Sequence, residues 1–473
     1  MDQNKPSPLS FPPIDSVDRI RQYEYYQRLL DGDHYTAFNI KIDSEDYTKA
    51  YKMLRYVKVN FAGLISRIVA DLLTGETVTI KDDENQEFVD ALWHENNMDV
   101  QLFEAALSGS ALGDIVFKLR VGKRNASDTE STVIIEMSTP IIYFPEINQQ
   151  NVKADPEVKE LAWTYTKDAT TYLQKEIHTS GKIENKLYEL FNGKISATID
   201  TSVIGLEPEV ETGIPESLVL HIPNYRTGNT LFGISDYADM DSLFFAINHR
   251  MSQIDNILDK HGDPILMVPP GILDKKGNVN KKAIGVIEVQ DGETARPEYI
   301  VWDASLENAF KYIEKLVEFV YMTGEISPDS LGMGQGSNDS GRALKLKLIR
   351  TLAKVARKKL YFDVQLKNLI YRAEKLAKAH NLTVGGIKFT GEPTKPEIQW
   401  ADGLPIDISE QIETEAKAID ASLTSTRDAI MRVYGSTQET ADKSVQEIKD
   451  ESSIPMPQMK IAPQSPIVDN VQK

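Results

Sequence analysis

Phe232-Gly233-Ile234-Ser235-Asp236 opens a run to Gly262 in which Met240, Phe244, Ile247, Met251, Ile254 and Leu258 recur at steps of three and four residues. That period marks an amphipathic helix. Ser235 or Asp236 supplies an N-cap, and Gly262 with Pro264 supplies the stop, so the helix is predicted to end near His261. Asp241, Asn248, Ser252, Asp255 and Asp259 fall on the opposite side and are predicted to form a wet, acidic stripe. Taken alone, an exposed helix face is the plainer reading of that stripe.

Downstream, Ile265 to Val268, a Pro269-Pro270-Gly271 turn, a loop bearing Lys275, Lys276, Lys281 and Lys282, and the runs Ala283 to Val289 and Tyr299 to Trp302 read as a compact β-rich insert. A second amphipathic helix is predicted from about Ser305 to Ile326, with Leu306, Phe310, Ile313, Val317 and Val320 inward. Each helix would be on the order of 30–40 Å long, and paired antiparallel they would make a rod carrying the insert at its far end. Ser327 to Gly341 is polar and glycine-dense and breaks the pattern, which predicts a loop.

A long helix is predicted from Arg342 to about His380. It holds twelve Lys or Arg against Asp363 and Glu374, a charge of +10 in 39 residues that leaves −28 for the remainder. Lys347, Arg350, Lys354, Arg357 and Lys358 cluster on one side of the wheel, and Leu348, Leu352, Val355, Ala356 and Leu360 on the other. Such a face meets water or acidic neighbours more often than phosphate, and no aromatics interleave with the lysines. If copies of the chain assemble, its natural partner is an acidic face on the next copy.

On the N-terminal side, residues 15–150 mix helical patterns such as Val57 to Leu73 with short apolar runs such as Val133 to Ile135 and Ile141 to Phe144, an α+β region. From Lys153 to Pro223, alternation in Leu161 to Tyr165 and Lys186 to Phe191, with Asn192-Gly193 before Ile195, predicts antiparallel hairpins. Short strands are predicted at Gly386 to Thr390 and Glu397 to Trp400. A small helical unit follows from Ile408, and the polar tail from about Ser452 is predicted to be disordered.

Composition narrows the function. The chain has 473 residues, 53 basic against 71 acidic side chains, a formal net charge of −18 and no cysteine. Disulfides, thiolate nucleophiles and cysteine-held metal centres are excluded. The acidic balance argues against broad, tight wrapping of nucleic acid, which requires many cationic contacts. No stretch of about eighteen apolar residues suggests a membrane span, and the polar, proline-rich start lacks a signal-peptide pattern, so a soluble, intracellularly made protein is expected.

Motifs for chemistry are weak. Gly332-Met333-Gly334-Gln335-Gly336 has Ser337 where a dinucleotide fingerprint needs its third glycine, and a helix rather than a strand precedes it. There is no Walker A pattern and no Gly-x-Ser-x-Gly elbow. His34, His94, His178, His221, His249, His261 and His380 never take metal-binding helical spacing. Asp31-Gly32-Asp33-His34 and Asp82-Asp83-Glu84 read more simply as solvated turns than as cation sites. No cofactor, no metal and no enzymatic activity are expected.

The order of elements resembles the portal, or head–tail connector, proteins of tailed bacteriophages, particularly long-tailed phages of Gram-positive hosts. The likeness spans about residues 20 to 440. It rests on Tyr25-Tyr26-Gln27-Arg28-Leu29-Leu30-Asp31-Gly32, Asn60-Phe61-Ala62-Gly63-Leu64-Ile65, Leu72-Leu73-Thr74-Gly75-Glu76, Ala105-Ala106-Leu107-Ser108-Gly109-Ser110-Ala111, Ile222-Pro223-Asn224 and Phe232-Gly233-Ile234-Ser235-Asp236 in collinear order.

The resemblance implies an α+β, portal-like ring subunit. Its parts would be an N-terminal segment and α+β wing (1–235), a two-helix antiparallel stem (236–262 and 305–326), a small β-rich clip (263–304), a tunnel loop (327–341), a long basic wing helix with closing strands (342–400), a short helical crown (401–451) and the tail (452–473). It also implies a homo-oligomeric ring, usually of twelve copies, at one capsid vertex of the virion, assembled in the host cytoplasm. Double-stranded DNA would pass through the ring during packaging and ejection. Terminase, major capsid and scaffolding proteins, and head-completion or tail adaptor proteins would be its partners, with no membrane contact.

On this reading Met333, Gln335, Ser337, Asn338 and Asp339 line the channel as the tunnel loop, and the stem contributes Asp241, Asn248, Ser252, Asp255 and Asp259. Lys275, Lys276, Lys281 and Lys282 meet partners at the clip, and Lys347, Arg350, Lys354, Arg357 and Lys358 form an inter-subunit basic face. A minor head protein without a closed ring and a metal-dependent DNA-processing enzyme are the competing readings.

Overall fold

The computed structural model describes residues 10–40, 56–76, 78–125, 127–262, 265–267, 298–300, 306–331, 341–401, 408–436 and 438–452. The expected clip lysines, the tunnel-loop residues Met333, Gln335, Ser337, Asn338 and Asp339, and the tail beyond Ser452 lie outside the described residues. The architecture is mixed helix and sheet, in two units: residues 1–338 with 344–403, and residues 339–343 with 404–473.

The helices are α1 (Val17–Asp31), α2 (His34–Ala37), α3 (Phe61–Thr74), α4 (Gln86–Glu95), α5 (Met98–Leu112), α6 (Asp241–Gly262), α7 (Glu307–Gly324), α8 (Gly341–Lys347), α9 (Ile349–His380), α10 (Ile408–Asp420), α11 (Thr426–Tyr434) and α12 (Gln438–Ser452). The strands are β1 (Thr79–Lys81), β2 (Asp114–Gly122), β3 (Thr132–Ser138), β4 (Tyr143–Pro145), β5 (Lys159–Lys167), β6 (Thr170–Thr179), β7 (Lys182–Phe191), β8 (Lys194–Ile199), β9 (Glu209–Glu211), β10 (Val219–Pro223), β11 (Ile265–Met267), β12 (Glu298–Ile300), β13 (Thr383–Val384), β14 (Ile387–Lys388) and β15 (Glu397–Gln399).

Strands β4 to β8 form an antiparallel meander, with β9 added to β7. Asn192 and Gly193 both have positive φ, 50° and 71°, which a two-residue hairpin turn between right-twisted strands demands. A second sheet, β10-β2-β3, is buried on both faces. Ile115, Phe117 and Leu119 join Leu102, Phe362, Leu366 and Leu369 in one apolar cluster, while Val116 and Val219 join Tyr143 and Leu161 in another. Every residue of β10 is therefore buried, His221 included, and its imidazole needs an internal partner. Asp114 supplies it: its carboxylate contacts His221 Nε2 at 2.6 Å and accepts from Tyr23 Oη at 2.6 Å and from Gly233 N at 2.8 Å.

A further cluster holds α1, α3, α6 and α7 together through residues such as Leu29, Ile65, Phe244, Ile247, Leu316 and Val320. Asn60 caps α3 by accepting from Gly63 N at 2.9 Å. α6 begins at Asp241, so Ser235 and Asp236 do not cap it as expected. Instead Ser235 Oγ accepts from Tyr237 N at 3.0 Å and Asp236 turns into the interior. Leu258 and Phe310, expected to face inward, are 52% and 44% exposed. In the second unit Arg432 donates to both carboxylate oxygens of Glu415, at 2.8 and 2.6 Å, joining α11 to α10.

Candidate functional site

α5 ends at Gly113, whose φ of 94° turns the chain directly into β2. Gly113 O accepts from Asn224 N at 2.8 Å, just beyond β10, and Gly233 crosses this hydrogen bond at a distance that leaves no room for a side chain. Asp236 N then donates to Ser110 O at 2.9 Å. The stretches 105–111, 222–224 and 232–236, weak individually as sequence signals, thus converge at one junction.

The Asp236 carboxylate is the centre of this junction. It accepts from Ser110 Oγ at 2.7 Å, from Asn224 Nδ2 at 3.2 Å and from Lys358 Nζ at 2.8 and 3.1 Å, and Lys354 Nζ lies 3.3 Å away. Burial alone would raise its pKa, but the charges of Lys354 and Lys358 outweigh burial and hold the carboxyl far below the usual carboxylate range. Burial pushes the Lys358 ammonium down to about 8, against the attraction of Asp236. Lys354 also donates to Gly324 O at 2.8 Å, the last residue of α7. Glu325, next in the chain, pairs with Arg350 at 3.2 Å and with Arg357. A partly open polar cavity of about 180 Å³ lies here, lined by Tyr225, Asp239, Thr323 and these charged groups.

Two expectations are corrected by this geometry. Lys354 and Lys358, expected on an inter-subunit basic face, are buried and share the Asp236 carboxylate within the same chain. Arg350 and Arg357 are exposed but share Glu325, and Lys347 lies 3.5 Å from Asp329. Of the apolar positions expected opposite them, Leu348 and Val355 are buried, whereas Ala356 and Leu360 are exposed.

On α6 the predicted wet stripe divides. Asn248 and Ser252 are buried: Asn248 Oδ1 accepts from Val59 N at 2.9 Å, and Ser252 Oγ accepts from Val57 N at 2.8 Å while donating to Asn248 O at 2.7 Å. They bind the extended segment before α3 and cannot line a bore. Asp241 is half-buried, with Tyr25 Oη 3.4 Å from its carboxylate, Asp255 is half-buried, and Asp259 is exposed.

No described group of three or more His, Asp or Glu could hold a metal ion, and no described helix is long and apolar enough to cross a membrane. A buried acid of another kind is Glu374 on α9. Its Oε2 accepts from Thr394 N at 2.7 Å, and Thr394 Oγ1 donates to Asp82 at 2.6 Å. Burial pushes the Glu374 carboxyl up to about 8, with repulsion from Asp82 and Glu84 adding to it. A folded-state pKa above the unfolded value of about 4.5 gives stability that is complete below that value and lost as pH rises through about 8. Glu374→Gln is therefore expected to gain on the order of 1–2 kcal/mol over the native chain between pH 5 and pH 8. Urea midpoints at the two pH values check this.

The family model described as "Phage portal protein, SPP1 Gp6-like" matches residues 15–454. No curated protein matches the chain. Among solved structures the chain is similar to one from the virion of a native gene transfer agent particle, at 9% identity and a TM-score of 0.42, covering 83% of this chain and 94% of that one. It is also similar to one from the neck of the native particle computed with C12 symmetry, at 8% identity and a TM-score of 0.41, covering 79% of this chain and 89% of that one.

Proposed function

This chain belongs to the SPP1 Gp6-like phage portal protein family, and on that premise we propose how its parts divide the work of a portal. The observation that carries the reading is a family match running from residue 15 to residue 454. A portal is a structural component of the virion, a ring at one capsid vertex through which DNA passes. Residues up to 235 act as wing, α6 and α7 as the two-helix stem, 263–304 as clip, 327–341 as tunnel loop, 342–400 as long wing helix with closing strands, and 401–451 as crown.

Closure into a ring follows from repeated heterologous contacts, and the bore is then lined by the same element from every copy. DNA must slide through it, so tight phosphate binding would act as a brake. A charge of −18 per copy suits weak, central guidance of the duplex. The exposed Asp259 and the half-buried Asp241 and Asp255 form the stem's contribution to the lining, with Met333, Gln335, Ser337, Asn338 and Asp339 from the tunnel loop. The clip, through Lys275, Lys276, Lys281 and Lys282, docks the terminase during packaging and head-completion proteins afterwards.

Electron microscopy of the purified full-length chain tests the reading: annular particles with an axial hole are expected, and solid or open assemblies under all assembly conditions would remove it. Asp259→Lys places one new cation per copy on the lining. Rings are expected to form normally, but DNA release from them should become strongly salt-dependent, because each added phosphate contact steepens the logarithmic dependence on salt by about 0.9. Filter retention of DNA across a salt series checks this.

A further inference from the structure

Two carboxyl groups meet where β1, α4 and α9 converge, and a single threonine is bound to both. Glu374 on α9 is fully buried; its Oε2 accepts from Thr394 N at 2.7 Å, and its Oε1 has no hydrogen-bond partner among the described residues. Thr394 Oγ1 donates at 2.6 Å to Asp82, the residue that follows β1. Asp82 also accepts from Asn85 N at 2.8 Å and from Glu84 N at 3.2 Å. Three donors are therefore aimed at Asp82 and one at Glu374. A negative charge is favoured where the donors are, so of the two carboxyl groups Glu374 is the one that keeps a proton.

No cation relieves Glu374. On α9 itself Lys375 pairs with Glu216, and Lys378 pairs with Glu392 at 2.5 Å. Lys395 lies over the Tyr371 ring. The groups that face Glu374 are Asp82, Glu84 and the Asn85 amide from the β1–α4 turn, and Thr394 from the loop 391–395. Once ionised, Glu374 would be a further negative charge in acidic surroundings with one donor, and a buried carboxylate leaves that state by reaching water.

The segment placed to give way is 391–399. Asn85 Nδ2 donates to Glu392 O at 2.8 Å, and Gly391 packs so closely that a Cβ there would stand 2.0 Å from Asn85 Oδ1. Beyond Thr394, β15 pairs with β1 over three residues, Lys81 with Glu397, Ile80 with Ile398 and Thr79 with Gln399. A two-stranded pair of that length is marginal by itself and depends on what pins its ends. Thr394 is such a pin, bonded at once to α9 and to the end of β1.

We propose that this junction is a proton-operated clasp: the proton on Glu374 keeps Thr394 closed against α9, and its loss frees residues 391–399 from α9 and β1 while the rest of the fold stays in place. The clasp stands apart from the portal reading and needs nothing from it. The closed state holds a proton that the open state gives up. Opening therefore becomes about tenfold more populated for each pH unit above about 5, and levels off near pH 8, where the closed carboxyl itself ionises.

Hydrogen–deuterium exchange of the full-length chain, with rates corrected for the intrinsic pH dependence of amide exchange, tests this. Protection in 79–81 and 391–399 is expected to fall about a hundredfold between pH 6 and pH 8, while β2, β3 and residues 362–377 of α9 keep theirs. The native slope and its place in the chain are read without any variant. In Glu374→Gln, which keeps the shape but has no proton to lose, the same segments are expected to stay protected at both pH values. Native protection that does not change with pH, an unchanged slope in Glu374→Gln, or a loss spread evenly over β2 and β3 would overturn the clasp. So would recovery of protection at pH 8 in millimolar calcium chloride, since a cation rather than a proton would then join the two carboxyl groups.

Discussion

Asp236→Ala is expected to destabilise the folded chain by about 3–5 kcal/mol, because it strips the counter-charge from two largely buried ammonium groups. The Lys354 and Lys358 side chains are only 8% and 3% exposed, and Asn224 and Ser110 would lose an acceptor in the same step. The linkage has a definite sign. Asp236 titrates below its unfolded value of about 3.8, so its contribution is complete above that pH and is lost as pH falls toward the folded-state value. Urea midpoints should therefore separate native and Asp236→Ala chains widely at pH 7 and draw together as the solution is acidified below about 4. An alanine variant with a native midpoint at pH 7 would show that solvent, not Asp236, balances the two lysines.

The second large effect is Gly233→Ala, expected to cost about 3 kcal/mol or more through overpacking against backbone that has nowhere to move. Its Cβ would stand 2.1 Å from Gly113 O and 2.8 Å from Asn224 N, inside the hydrogen bond those two atoms make. Moving Gly113 would disturb the turn from α5 into β2, and moving Asn224 would disturb the hydrogen bonds at Asp236. Gly228→Ala provides the contrast: φ is 72° there but nothing lies within 4 Å, so backbone strain alone should cost about 1 kcal/mol. Thermal denaturation of the pair separates steric crossing from loss of glycine's freedom.

Periodicity alone makes the helices legible. Phe244, Ile247 and Ile254 on α6, and Ile313, Leu316 and Val320 on α7, are buried as their spacing requires. The Asn192-Gly193 hairpin was equally readable, because its turn chemistry is local. What the sequence concealed was the fate of polar side chains on those helices. Lys354 and Lys358 stand one turn apart among cations, so a wheel assigns them to water, yet they face inward because an acid 122 positions earlier meets Lys358 there. Asn248 and Ser252 mislead in the same way, since their partners are backbone groups of residues 57 and 59. Burial of a polar group is decided by a distant partner, and single-helix patterns hold no information about that partner. Leu360 is the converse, a position that the wheel places on the apolar side and that is 70% exposed.

Lys354 holds the carbonyl at the end of α7, and Lys358, one turn along the same helix, holds the acid that precedes α6. The segment entering α6 and the end of α7 are thus both tied to α9. A shift of α9 along its own axis would therefore pull on both ends at once, and a shift of either helix would be felt by the other through α9.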